Sequence, residues 1–369
     1  IIMKNYKFLI LVFCINLFSN TNIFAQFSAP DDDFIAKKIK SQAGFLNTPL
    51  VSEIYTADPS AHLFEGRIYI YGSHDIESTV IDDDCGSQYS MRDYRVLSMD
   101  EVGGSVTVHK VALDLKDVPW ATRQFWAPDA AYKNGKYFLY FPSKDKDDRF
   151  RIGVAVSDKP QGPFIAEPDF IPGSYSIDPA VFTDDDGSSY MYFGGIWGGQ
   201  LQRWENNTYE PSDCKKQDRQ NPEAPAILPR IAKMSEDMLS FSEEVKEVMI
   251  LDEKGNPILT KDHDRRFFEA AWIHKYKGIY YLSYSTGNTH FLQYATAENP
   301  YGPFTYKGVM NQPVKGWTNH HSVMEIKGQW YLFYHDIQLS SQTNLRNIKM
   351  TELFHNEDGS IQTINTLLK

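Results

Sequence analysis

Five times along the chain, a glycine opens a short run dense in tyrosine, phenylalanine and tryptophan. The runs are GRIYIYGSHD from Gly66, GKYFLYFPSKD from Gly135, GSSYMYFGGIW from Gly187, GIYYLSYSTG from Gly278 and GQWYLFYHD from Gly328. Residues of this kind favour pleated, half-buried strands. Each run follows a short apolar segment and a turn, so each reads as the second arm of a hairpin. Further alternating stretches follow some of them: RIGVAVSDKPQGPF at 151–164 and FLQYATAENPYGPF at 291–304 both turn at proline and close on Gly-Pro-Phe, and YRVLSMDEVGGSVTV at 94–108 is a looser version. The unit is about four strands long. Repeated four-stranded units that cannot bury their own faces must stack on one another, which is the pattern of a β-propeller. The expected fold is therefore all-β, a five-bladed β-propeller in one domain. Only SEDMLSFSEEVKEV, at 235–248, hints at a short helix.

The expected boundaries are a signal peptide over residues 1–25, an N-terminal extension over 26–50 and the catalytic propeller over 51–369. Lysines in MKNYK precede an apolar run at 8–18, and NIFAQ offers cleavage after Ala25. The apolar run is too short to span a bilayer. The expected location is exported, periplasmic or extracellular, with no membrane insertion once the signal is cleaved. Cys85 and Cys214 could form a disulfide in such a compartment, although spacing alone does not pair them. The 37 basic and 48 acidic residues give a net charge of −11, without a basic run. Nucleic acid is not an expected partner.

Counting back from the repeated glycines locates a common position at the start of each hairpin's first strand. It carries Asp58, Asp178, Glu269 and His320, with Ala127 beside Trp126 in the second repeat. The offsets are eight or nine residues, a difference expected from turn length. In a propeller the first strand of each blade lines the axis, so three carboxyl groups and a histidine should converge there. Prolines follow Asp58 and Asp178 and should hold both aspartates extended. Crowded carboxylates repel, which raises the pKa of at least one. Glu269, set in Phe-Phe-Glu-Ala-Ala-Trp, has the most apolar surroundings and is the expected general acid. Asp58 is the expected base, with Asp178 tuning and orienting the acid. An acid and a base facing one cavity among aromatics suit glycoside hydrolysis. Trp126, Trp197 and Trp317 could pack against sugar rings.

The phrases YTADPSAHLFEG, WAPDAAYKNGKYFLYF, SIDPAVFTDDDG, FFEAAWIHKYKGIYYLSY and TNHHSVMEIKGQWYLFYHD, in that order, resemble glycoside hydrolase family 43. The similarity is strongest to members described as β-xylosidases and α-L-arabinofuranosidases acting on hemicellulose. The resemblance implies an inverting, exo-acting enzyme on xylan or arabinoxylan oligosaccharides. It assigns Asp58 as base, Glu269 as acid and Asp178 as the residue that raises the acid's pKa. It further implies Trp126 in the sugar pocket, Arg346 in contact with substrate, and His320 on the axis. No cofactor is required for the chemistry. A calcium or sodium ion on the axis, held near His320 largely through water, is also implied. Competing readings are an arabinan-degrading or other family 43 glycosidase and a glycan-binding propeller without catalysis. A retaining, fructan-cleaving propeller is disfavoured because neither an NDPNG-like opening nor Glu-Cys-Pro occurs. The acidic stretch TDDDGSSY reads as a hairpin turn, and His74-Asp75 as a strand end, with contact to substrate as the alternative.

Overall fold

The computed structural model describes residues 45–83, 85–212 and 221–367, and all five repeated glycines lie in hairpin turns with positive φ, from 76° to 84°. In four of them the preceding residue is also left-handed: Glu65, Asn134, Lys277 and Lys327 have φ of 49–52°. Two consecutive left-handed residues make the tight turn whose twist matches that of paired strands, and the second position strongly favours glycine. Pairing resumes at once, as in Phe64 opposite Arg67 and Tyr276 opposite Ile279. The turn before Gly187 is longer. Asp184 N–H donates to the Ser188 carbonyl at 2.8 Å, and Lys275 neutralises the Asp184 and Asp185 carboxylates.

The hairpins belong to five sheets, antiparallel except at one edge, arranged as a five-bladed propeller. The innermost strands are Tyr55–Phe64, Asp129–Lys133, Ala180–Thr183, Glu269–Tyr276 and His321–Ile326, and each packs against the next. The first also contacts the fifth, closing the ring. Blade 5 has three named strands, His321–Ile326, Gln329–Asp336 and Asn347–Leu353. The segment before blade 1 reaches this last sheet, where Leu50 N–H donates to the Ile348 carbonyl at 2.8 Å. Ile250–Leu251, which follows blade 3 in the chain, pairs in parallel with Phe304–Asn311 at the edge of blade 4.

The recurrent Gly-Pro-Phe corners join neighbouring blades. Phe164 and Phe304 are buried. Tyr71 of blade 1 donates its hydroxyl to the Pro160 carbonyl, and Tyr192 of blade 3 does the same to Pro300. Tyrosine suits these seams because its ring fills the apolar gap while its hydroxyl finds a partner.

Two expectations fail here. Residues 235–248 form turns, an isolated bridge and a two-residue strand, Lys246–Glu247, instead of a helix. Its helix-like charges lie on an exposed face, and Met238 and Val248 bury individually without forming a helical stripe. Asp58 and Asp178 are not extended: their φ values are 53° and 57°. A following proline disfavours the right-handed helical region but does not by itself exclude a left-handed one. The register of the first strand slips between Ala57 and Ser60, and Asp58 sits in that bulge.

The expected signal peptide and the first part of the N-terminal extension lie outside the described residues, as does Cys214. Cys85 is disulfide-bonded. Among the described residues, no helix is long and apolar enough to cross a membrane.

Candidate active site

A cleft with about 690 Å³ of empty space opens at one end of the axis. Asp58, Asp178, Glu269, Trp126, His320 and Arg346, all singled out in the sequence, line it, and so do Trp197 and Trp317. The insertion after blade 1's second strand adds Asp82, Gly86, Gln88, Tyr89 and Met91.

The shared position of the acids has a different cause from the expected one. Blades 1 and 4 have the same two-residue turn, yet Asp58 and Glu269 differ in offset. Ala57 pairs with Ser73 and Glu269 pairs with Ser285, at equal distances past their turn glycines. Glu269 is therefore the counterpart of Ala57. The counterpart of Asp58 is Ala270, whose φ of 60° matches the 53° of Asp58. Both strands bulge here, and neighbouring residues of the bulge supply the side chains.

Asp58 is held on all sides. Arg346 Nη1 donates to its Oδ1 at 2.8 Å, and Ser73 Oγ donates to Oδ2. Its backbone N–H donates to His335 Nδ1 at 3.1 Å. That bond requires a bare Nδ1, leaving Nε2–H of His335 to donate to Thr318 Oγ1 at 2.9 Å. Burial and the nearby Arg346 charge hold His335 down to about 3, so the ring is neutral. Burial alone would push the Asp58 carboxyl up. The opposing effects of Arg346, His335, His320 and Ser73 prevail and hold it at about 2.

Glu269 has no such cation bound to it. Burial and the negative charge of Asp58 push it up to about 8, against a smaller pull from Arg346. Asp178 is also pushed upward, by burial and by Glu269 and Asp58, although Ala270 N–H donates to its Oδ2 at 2.8 Å. The Asp178–Glu269 pair thus retains a proton near neutrality while Asp58 has none. A proton donor and an ionised carboxylate share one cleft, the arrangement needed to protonate a leaving oxygen while activating water.

His320 lies with Nδ1 3.7 Å from Asp178 Oδ2, and burial lowers it to about 4. The adjacent His321 faces away from the cleft, with Nε2 2.6 Å from Ser283 Oγ. Among the described residues, no group of three histidine, cysteine, aspartate or glutamate side chains converges to hold a metal directly. Trp126 is anchored by its indole N–H to the Tyr89 carbonyl at 2.8 Å and packs on Phe150 with ring centres 4.6 Å apart.

Several important groups escaped the sequence reading. Asp75, taken as a strand end, is buried and grips Arg346 with both oxygens at 2.8 Å. Ser73 and His335 support Asp58. The clue was present in the polar endings GSHD and YHD, which sit beside the first strands' axial ends. Arg346 lines the cleft, and four of its five guanidinium N–H donors go to Asp75, Asp58 and Thr318.

Glycosyl hydrolases family 43 matches residues 48–361. The chain is 56% identical over 321 residues to xylosidase/arabinosidase 43A of Humicola insolens, covering 85% of this chain and 98% of that protein. It is 55% identical over 317 residues to a xylosidase/arabinosidase of Bacteroides ovatus, covering 85% and 96%. A family 43 β-xylosidase/α-arabinofuranosidase from a compost microbial metagenome was solved with xylotriose in a calcium-free form. It shares 65% identity and a TM-score of 0.87, over 88% of this chain and 99% of that one.

Proposed function

The chain belongs to glycosyl hydrolase family 43 and is a glycoside hydrolase, and from that premise we propose that it cleaves xylosyl or arabinofuranosyl units from hemicellulose-derived oligosaccharides with inversion. The observation that carries this reading is the opposite treatment of two carboxyls in one cleft. Asp58 is held down to about 2 and Glu269 pushed up to about 8. Glu269 protonates the leaving oxygen, and Asp58 takes a proton from the attacking water. Asp178, itself pushed upward beside Glu269, shares the retained proton with it and orients the bulge by accepting from Ala270 N–H. Trp126, Trp197 and Trp317 offer apolar faces to the sugar. The relatives named xylosidase/arabinosidase and the neighbour solved with xylotriose support the substrate class.

This two-carboxyl chemistry requires no cofactor. If an axial calcium or sodium ion binds, His320 of the cleft lining would face it, with water supplying the direct ligands. The signal-like N-terminus supports export to the periplasm or the exterior. Release of 4-nitrophenol from the β-D-xyloside and the α-L-arabinofuranoside tests the function, with Glu269→Gln as control. Cleavage of either by the wild type, lost in the folded variant, is the expected result. A wild type that cleaves neither, nor any xylo- or arabino-oligosaccharide, overturns it.

A further inference from the structure

We propose that Asp75 is a positioning residue for the reaction, acting by aiming Arg346 so that the arginine holds Asp58 as the ready base. This assignment rests on the reading of Asp58 above. Asp75 does not line the cleft, so it cannot touch substrate there. It is buried at 2% exposure, and the hydrogen bonds to its carboxylate come from one residue. Arg346 Nε and Nη2 donate to its two oxygens, each at 2.8 Å, and the backbone N–H of Arg346 donates to Oδ2 at 2.8 Å.

A paired carboxylate and guanidinium share a plane, and two parallel bonds fix both position and rotation of the fork. With Nε and Nη2 committed, Nη1 is the nitrogen left to face Asp58, and it lies 2.8 Å from Oδ1. It also reaches Thr318 Oγ1 at 3.2 Å, while the guanidinium lies 5.0 Å from the centre of the Tyr89 ring. The sequence separation of 271 residues shows that this is tertiary design rather than local pairing. It joins the end of blade 1's second strand to the residue just before the third strand of blade 5, the seam at which the ring closes.

Charge alone predicts the opposite effect. Asp75 is an anion near Asp58, so neutralising it should make Asp58 easier to ionise. If Asp75 aims Arg346, neutralising it lets the fork rotate away, and the buried Asp58 becomes harder to ionise. The other groups facing Asp58, namely His335, His320, Ser73, Glu269 and Asp178, keep their identity in either case.

The pH profile of kcat/KM separates these cases for wild type, Asp75→Asn and Asp75→Glu. Wild type should show no acidic limb down to about pH 4, because Asp58 stays ionised. Asp75→Asn should show one, with roughly ten-fold loss at pH 4 that shrinks to within about three-fold above pH 6. Asp75→Glu keeps the charge but displaces the fork, and should show the same limb. It also supplies the answer if the asparagine variant does not fold. In an Arg346→Lys background, Asp75→Asn should move the limb no further, because the two residues act as one unit. An active wild type with no new limb in either folded Asp75 variant overturns this assignment alone. A wild type without glycosidase activity overturns the function and this assignment together.

Discussion

Glu269→Gln should remove catalysis and stabilise the fold in a pH-dependent way. The folded state raises the Glu269 carboxyl from 4.5 to about 8. A raised carboxyl means the unfolded chain releases its proton first. The folded protein is therefore unpenalised below about pH 4.5 and progressively penalised as pH rises towards 8. Each pH step is worth about 1.4 kcal/mol, so the full window carries at most about 5 kcal/mol. At pH 5 less than about 1 kcal/mol of this has accrued. Glutamine cannot ionise and escapes the penalty, whatever its own desolvation cost, because that cost does not vary with pH. The advantage of the variant should therefore grow by up to about 4 kcal/mol between pH 5 and pH 8. For a domain of roughly 300 residues, this corresponds to about 6 °C in Tm. Thermal unfolding of both proteins at pH 5, 6, 7 and 8 measures it. Equal differences in Tm at pH 5 and pH 8 would refute the claim that the folded state holds Glu269 in its protonated form.

Asp58→Asn should reduce kcat by about 10³-fold or more and move the basic limb of the wild-type profile to lower pH in any residual activity, because the charge that helps raise Glu269 is gone. Gly86→Ala should raise KM with little change in kcat, since its Cβ would come within 2.5 Å of the Trp126 ring at a residue with φ of 76°. Steady-state kinetics on the preferred 4-nitrophenyl glycoside tests both. Lys349→Met should cost about 3–5 kcal/mol by chemical denaturation, because it strands Asp336, a 2% exposed partner in a buried ion pair.

The architecture was legible because its requirements are local and repeated. A tight hairpin turn needs a left-handed residue, glycine supplies it, and Gly66, Gly135, Gly278 and Gly328 therefore mark the blades. The three acids were legible because propeller symmetry carries equivalent strand starts to one axis. Their backbone was not. The offset of Glu269 reflects a bulge, and Asp58 and Asp178 adopt left-handed backbones that proline alone would not suggest. Asp75 and His335 were hidden for another reason: each matters through a partner more than 250 residues away, and no local pattern encodes such a meeting. The 235–248 stretch shows the converse, charge spacing that resembles a helix without an apolar stripe to bury.

The stereochemistry of the first product tests the central claim most directly. Proton NMR during early hydrolysis of a β-D-xyloside should show α-xylose first, because water activated by Asp58 attacks the face opposite the oxygen protonated by Glu269. Initial release of β-xylose would mean that a carboxylate had attacked the sugar itself, and would contradict Asp58 as a general base.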